Sequence, residues 1–221
     1  MSSTNRGAVR VALNAYHTPD RVAQACLSTI AAELVGASAL EPHAGAGAFV
    51  RAAVGVGAGI VYANDINPNA PGFVQAAARF AEPVDFLATT FERRYDWVTG
   101  NPPFDEAEAH IRRAHAACRV GVGFLLRLAI LEGKKRRALW KQLPPSDIYT
   151  LVQRPAFLEL YEDGTLGPLR KRTKTGELVY DKHGRVKLAG TDSAAYAWFV
   201  WRRGGPQVAP RMHWLDWAGA R

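Results

Sequence analysis

Ser38-Ala39-Leu40-Glu41-Pro42-His43-Ala44-Gly45-Ala46-Gly47 is the part of the chain that says most about its fold. The apolar run over 38–41 predicts a short buried strand, and a helix is predicted from about Ala48. Gly45 and Gly47 lie between the two elements and allow a ligand to come close to the backbone. Because ligands of open α/β sheets bind beyond the carboxyl ends of the strands, we expect a binding loop here.

The rest of the chain continues an alternation of strands and helices. Further strands are predicted over 60–64, 84–88, 95–99, 120–128, 149–153 and 195–201. A first helix is predicted with Thr18 as its N-cap, Pro19 at its first position and Gly36 after its end. Two more helices are predicted over 73–80 and from an Asp105 cap to about Cys118. This order predicts a doubly wound, Rossmann-like α/β sheet of seven strands.

Size and charge indicate one domain and an acidic partner. With 221 residues the chain can bury one core, so 1–221 is interpreted as a single domain. The net charge is +8, but residues 1–118 carry 9 Lys+Arg against 11 Asp+Glu, whereas residues 119–187 carry 15 against 7. We interpret residues 161–193 as a basic insertion between the last two strands that contains a β-hairpin. A polyanionic partner would explain this local excess of positive charge, and a solvated basic surface is the alternative.

Other sequence features argue against several classes of protein. Cys26 and Cys118 lack CxxC spacing, so neither a disulfide framework nor a metal site is expected. No apolar run approaches the roughly 20 residues of a membrane span, and the first ten residues contain no signal-peptide core. We therefore expect a cytoplasmic protein without membrane contact. The oligomeric state is left open.

The second informative stretch is Asn101-Pro102-Pro103-Phe104, which follows a predicted strand. Each proline fixes its own φ and restricts the residue before it, so the turn is rigid. It presents the Asn101 amide oxygen, the Pro102 carbonyl and the Phe104 ring. Two fixed acceptors beside a flat apolar face can hold an exocyclic amine.

A nucleoside is the expected ligand of the glycine-rich loop. Asp65 ends the next strand, a position suited to binding ribose hydroxyls. The dinucleotide pattern GxGxxG fails, because Val50 occupies the place of the third glycine. This favours a nucleoside without a pyrophosphate.

In order along the chain, these motifs resemble those of the class I N6-adenine DNA methyltransferases, in particular the compact phage and prophage type. The resemblance rests on Tyr16-His17-Thr18-Pro19, Glu41-Pro42-x-Ala44-Gly45-x-Gly47, Asn64-Asp65-Ile66, Asp85-Phe86, Asn101-Pro102-Pro103-Phe104, and later stretches at 125–128, 154–157, 191–192 and 197–201. It implies methyl transfer from S-adenosylmethionine to the N6 amine of an adenine flipped out of DNA. The catalytic residues would be Asn101, Pro102, Pro103 and Phe104.

The resemblance also implies the residues that bind each ligand. The cofactor-binding set would be Thr18 and Pro19 at the methionine end, Glu41, Gly45 and Gly47 at methionine and ribose, Asp65 at the ribose hydroxyls, and Ile66, Asp85 and Phe86 at the adenine. Phe157 is a candidate for the second face of the flipped base. The DNA backbone would be bound by basic residues of the insertion, namely Arg170, Lys171, Arg172, Lys174, Lys182, Arg185 and Lys187. His17 and His43 are not expected to be catalytic.

Three other functions remain open. An RNA adenine N6-methyltransferase shares the core, and charge cannot separate RNA from DNA. A protein glutamine N5-methyltransferase uses a similar loop, but usually after an N-terminal helical domain for which the residues before Tyr16 leave no room. A non-catalytic nucleic-acid-binding module has no need for paired acceptors at a strand end. The chain also departs from larger relatives, because only 161–193 is available for target recognition.

Overall fold

The computed structural model describes residues 16–79, 82–90, 94–173, 175–191, 193–204 and 209–219. Its centre is a sheet of eight strands in the spatial order β10-β6-β9-β5-β4-β1-β2-β3. The strands are β1 Ser38–Glu41, β2 Ile60–Ala63, β3 Ala78–Arg79, β4 Tyr95–Gly100, β5 Cys118–Arg127, β6 Asp147–Leu151, β9 Tyr196–Arg202 and β10 Arg211–Leu215. Two further strands, β7 Leu158–Leu160 and β8 Leu166–Pro168, form a separate antiparallel pair.

The sheet is parallel except for β9, which lies antiparallel between β5 and β6. Six of the seven predicted strands are present, as β1, β2, β4, β5, β6 and β9, and β3 completes a doubly wound core of seven strands. Neither β3 nor β10 was predicted; β10 extends the sheet by pairing in parallel with β6. Asp147, only 1% exposed, fixes this edge by accepting hydrogen bonds from Arg202 and Arg211 and by contacting His213.

The described residues form six α-helices. Two of them precede β1, namely α1 Asp20–Ser28 and α2 Ala31–Leu34, and four lie between strands, namely α3 Ala48–Gly55, α4 Pro71–Val74, α5 Ala107–Ala117 and α6 Arg137–Gln142. The predicted first helix is divided into two, because α1 ends at Ser28 and α2 begins at Ala31, but its predicted apolar face is confirmed, since Val22, Cys26, Ile30 and Leu34 are buried. Its predicted start was one residue too early, because Pro19 is the N-cap. The predicted cap Asp105 lies in a 3₁₀ turn, Phe104–Glu106, and α5 begins at Ala107.

Two predicted elements next to β2 were wrong. Residues 73–80 do not form one helix: α4 ends at Val74, and Ala78–Arg79 pairs with β2 as strand β3. Residues 84–88 form a loop and turn instead of a strand. The cause is the buried Asn64 side chain, which donates to the Val84 carbonyl at 2.9 Å and accepts from the Val84 amide at 3.1 Å. These bonds take the place of strand pairing.

The insertion over 161–193 is a set of short antiparallel contacts. Tyr180 pairs with Val186 across the predicted turn, and Arg170 and Arg172 pair with Leu188 and Leu178. It is anchored to β7 by Glu159, as described below. Among the described helices none is long and apolar enough to cross a membrane.

Candidate active site

A cavity of about 230 Å³ opens at the carboxyl ends of β1, β2 and β4, and a narrower cleft lies beside it. Nine of the predicted site residues line the cavity: Gly45, Asp65, Ile66, Asp85, Phe86, Asn101, Pro102, Pro103 and Phe104. Thr18 and Glu41 line the cleft, which shares Gly45 and Asn101 with the cavity. The strand ends therefore bring together most of the predicted catalytic and cofactor-binding residues.

The glycine-rich loop is held in a shape that only glycine adopts easily. Gly45 has φ +49° and Gly47 has φ +86°, both in the left-handed region. A Cβ on Gly45 would lie 3.1 Å from His17 Nδ1, and one on Gly47 would lie 3.0 Å from the Cα of Gly72. The absence of a side chain at Gly47 therefore allows α4 to pack closely on the loop. Pro19, outside both linings, caps α1 and accepts from the Val22 amide.

Asp65 is fixed beside this loop by backbone hydrogen bonds. One carboxylate oxygen accepts from the Gly45 amide at 2.7 Å, and the other accepts from the Asn67 amide at 2.8 Å. Burial raises the pKa of Asp65, and the two amides oppose that rise. Each oxygen keeps a second lone pair, so the carboxylate can accept from two further hydroxyls.

The far wall of the cavity comes from the loop that Asn64 holds. Asp85 accepts from the Leu87 amide at 2.8 Å, which fixes its carboxylate at the edge of the loop. The Phe86 ring is 2% exposed and faces two histidine rings. Ile66, by contrast, is 56% exposed at the cavity. An exposed apolar side chain beside an acid and an aromatic ring suits a planar base.

The Asn101 loop is fixed from both sides. Before it, Gly100 packs directly on the Glu41 carboxyl group, where any Cβ would collide. The Asn101 side-chain nitrogen donates to the Thr18 hydroxyl at 3.1 Å. Its side-chain oxygen is buried and has no hydrogen-bond partner among the described residues. A buried acceptor without a donor costs free energy, so the site is built to receive one.

Glu41 adds a second buried acid. It is 2% exposed and accepts from the His43 amide at 2.8 Å. Burial raises the pKa of Glu41 well above its usual value, and the nearby charge of Asp65 raises it further. Two desolvated acids at one opening favour a ligand with positive charge.

Sequence reasoning missed three functional candidates. His43 and His110 both line the cavity, and their rings are hydrogen-bonded at 2.9 Å. The Arg127 guanidinium lies 4.8 Å from the centre of the Phe104 ring, and its Nε donates to the Tyr196 hydroxyl at 3.2 Å. The presence of His43 within the glycine-rich motif was a signal for the first pair. His110 and Arg127 had none, since only folding brings them here.

The predicted nucleic-acid residues have several different surroundings. Phe157 is 2% exposed and packs on Tyr16 and Tyr196, with ring centres 6.3 and 5.0 Å away. Arg170 and Arg172 both donate to Glu159 at 2.6 Å, so their charges are paired inside the chain. The others are exposed, namely Lys171, Lys182, Arg185 and Lys187, with Arg185 paired to Asp181. Lys174 lies outside the described residues.

Within the described part of the chain, no group of three or more His, Cys, Asp or Glu side chains is placed to hold a metal ion. The chemistry of the opening is that of hydrogen-bond acceptors, acids and aromatic rings. Such a set can bind a nucleoside and orient an amine. It agrees with the reaction class expected from the Asn101 loop.

No family model and no curated protein matches the sequence. The fold, however, matches solved structures. A proposed RNA methyltransferase from Pyrococcus horikoshii gives a TM-score of 0.57 at 14% identity, covering 84% of this chain and 85% of that one. The modification subunit of a proposed type I restriction enzyme from Vibrio vulnificus gives 0.55 at 12% identity, covering 92% of this chain and 46% of the subunit. The fold of this chain is therefore the Rossmann-like fold of class I methyltransferases, as the sequence predicted.

Proposed function

We propose that this chain transfers the methyl group of S-adenosylmethionine to the N6 amine of an adenine in DNA. The observation that carries the proposal is the Asn101 side-chain oxygen, a buried acceptor without a donor at the end of β4. Thr18 fixes the other end of the amide, so the oxygen is held ready for an N–H group. An exocyclic amine supplies the donor that this site lacks.

The residues around the opening fit the cofactor. Asp65 has free lone pairs for ribose hydroxyls, the exposed Ile66 side chain offers apolar surface for an adenine beside the buried Phe86 ring, and Gly45 lines the cavity without a side chain of its own. Glu41 and Asp65 are acids whose burial raises the pKa. A cationic ligand restores their ionised forms. When bound, S-adenosylmethionine supplies a methyl group on a positively charged sulfur, which leaves as a neutral thioether.

The Asn101 loop would activate the amine by orientation. The N6 lone pair of adenine is delocalised into its ring, which makes the amine a poor nucleophile. Accepting both N–H groups, at the Asn101 side chain and the Pro102 carbonyl, favours tetrahedral nitrogen and frees the lone pair for attack. This is catalysis by preorganised dipoles and proximity. Phe104 would stack on the base, with Arg127 holding the ring from its other side.

Nucleic acid is favoured as substrate by the insertion, and DNA by the ordered motifs. Because Arg170 and Arg172 are paired with Glu159, and Arg185 with Asp181, the phosphate contacts would come chiefly from the four lysines Lys171, Lys174, Lys182 and Lys187. Four contacts give a slope of about −3.6 for the logarithm of affinity against that of salt concentration, whereas all seven basic residues would give about −6. Titrating a labelled duplex at several salt concentrations separates these values.

The decisive experiment is methyl transfer by the purified full-length protein. Unmethylated duplex DNA, single-stranded DNA, RNA and a glutamine-containing peptide are each incubated with labelled S-adenosylmethionine, and the methylated product is identified by mass spectrometry. N6-methyladenine in DNA is expected. Asn101→Ala should lower its formation by about 100- to 1000-fold, the loss typical for one preorganised hydrogen-bonding group. Asn69→Ala, an exposed asparagine of a neighbouring loop, is the matched control.

The outcomes are distinct. Transfer to RNA or to the peptide alone would replace the DNA assignment. S-adenosylhomocysteine binding without any transfer would favour the non-catalytic binding module. Equal activity of Asn101→Ala and Asn69→Ala would show that the loop is not catalytic.

A further inference from the structure

The His43–His110 pair is the least expected group at the cavity. His43 follows β1 in the glycine-rich loop, whereas His110 lies in the first turn of α5. His43 Nε2 and His110 Nδ1 are 2.9 Å apart, and the ring centres are 4.5 Å apart. Both residues line the cavity beside Asp85 and Phe86. The pair thus joins two chain segments in the lining of the cavity.

The surroundings keep both rings neutral. The Phe86 ring is stacked on His110, 5.9 Å between centres at 5°, and meets His43 edge-on at 5.5 Å. Burial lowers the pKa of His110 to about 4, although the charge of Asp85 opposes this, and it lowers the pKa of His43 well below its usual value. Two neutral imidazoles in contact share one N–H···N hydrogen bond.

One nitrogen of the pair remains for a ligand. His43 Nε2 and His110 Nδ1 satisfy each other. Among the described residues, neither His43 Nδ1 nor His110 Nε2 has a hydrogen-bond partner. His43 Nδ1 is buried, which leaves His110 Nε2 as the nitrogen available at the cavity. Its partner in the pair fixes which proton it carries, because each tautomer of His43 selects one tautomer of His110.

We propose that His110 binds the purine edge of the cofactor through Nε2, and that His43 is a positioning residue that sets the orientation and tautomer of His110. This inference rests on the proposed function, since it assigns the base-binding end of the same cofactor site. Adenine offers both a donor amine and ring-nitrogen acceptors along its edge. A neutral histidine can accept a hydrogen bond from the amine or donate one to a ring nitrogen, depending on its tautomer. Neither bond adds positive charge beside a cationic cofactor.

Calorimetry with S-adenosylhomocysteine and its 6-oxo analogue S-inosylhomocysteine tests the proposal. His110→Phe keeps an aromatic ring against Phe86 but removes both nitrogens. It should weaken S-adenosylhomocysteine about tenfold, the value of one hydrogen bond, and reduce the discrimination between the two ligands. His43→Phe should weaken binding less, and the double variant should be no weaker than His110→Phe, because His43 acts through His110. His183→Phe, an exposed histidine of the insertion, is the matched control.

A measurement on the unsubstituted protein guards against variants that do not fold. Imidazole ¹⁵N spectra distinguish the two tautomers, and saturating S-adenosylhomocysteine should shift His110 Nε2 while leaving His183 unchanged. Unchanged His110 resonances at saturation, or equal weakening of both ligands by His110→Phe, would overturn the proposal while the methyltransferase function stands. Absence of S-adenosylhomocysteine binding by the wild type would instead refute the proposed function, and this inference with it.

Discussion

Replacing Glu159 by glutamine should loosen the contact between β7 and the two arginines of the basic insertion. Glu159, 4% exposed in β7, accepts from the Arg170 amide at 3.0 Å and from both the Arg170 and Arg172 guanidinium groups at 2.6 Å. These bonds hold the pKa of Glu159 at about 2, against burial, which would raise it. A folded-state pKa below the usual value of 4.5 adds stability that is complete above pH 4.5 and is lost as pH falls toward 2. By linkage this stability amounts to about 3 kcal/mol.

A second argument gives a similar value. Breaking a buried ion pair from one side typically costs about 3–5 kcal/mol, because the remaining charge is left without a partner. The Arg170 and Arg172 side chains keep about a quarter of their exposure, so water relieves part of that cost and the lower end applies. We expect Glu159→Gln to lower the local stability of the insertion by about 3 kcal/mol.

Hydrogen exchange at pH 7 measures this local stability directly. The amides of Val179, Lys187 and Ala189 are bonded within the insertion and should exchange about 100-fold faster in Glu159→Gln. Glu162→Gln, an exposed acid of the same segment, should leave them unchanged. Protection that changes less than threefold in Glu159→Gln would refute the view that Glu159 holds the insertion.

Three further predictions concern the cavity. Gly100→Ala should destabilise the fold by about 1–3 kcal/mol and weaken S-adenosylhomocysteine, because a Cβ collides with Glu41, whereas Gly55→Ala meets no atom within 4 Å and should be stable in thermal unfolding. Asn64→Leu should cost about 2–4 kcal/mol in urea unfolding, since it leaves three backbone partners unbonded; a loss below 0.5 kcal/mol would contradict this. The His110 pKa of about 4 lies below the unfolded value of 6.5, so the unfolding free energy should fall by about 3 kcal/mol between pH 6.5 and 4, and His110→Phe should flatten that slope.

The parts of the fold that could be predicted are those set by local pattern. The strand and glycine turn around Gly45, the acid Asp65 after the next strand and the rigid Asn101 loop each combine a strand end with residues of special backbone geometry. Parallel pairing then places these ends at one edge of the sheet, so their meeting follows from topology. This is why most of the predicted site residues line one opening.

The errors came from long-range polar contacts. The run over 84–88 is as apolar as a strand, but the side chain of Asn64, twenty residues away, takes its hydrogen bonds. Strand β10 has only five residues, and Arg211 and His213 hold it at the sheet edge by polar contacts with Asp147. A charge count also could not show that Arg170 is paired internally. Pairings between distant polar residues leave no periodicity in the sequence.

Three consecutive residues connect the cavity to the basic insertion. Phe157 packs on Tyr16, a cavity residue, and Leu158 exchanges backbone hydrogen bonds of 3.0 and 2.8 Å with His17, another cavity residue. The next residue, Glu159, accepts hydrogen bonds from Arg170 and Arg172 of the insertion. Phe157 is buried and contacts Tyr16 edge-on, and its stacking on a base stays a prediction. Because two residues of this segment contact the cavity wall and the third binds the insertion, their positions are coupled, so that a polyanion held by the insertion would be aligned with the opening where Asn101 lies.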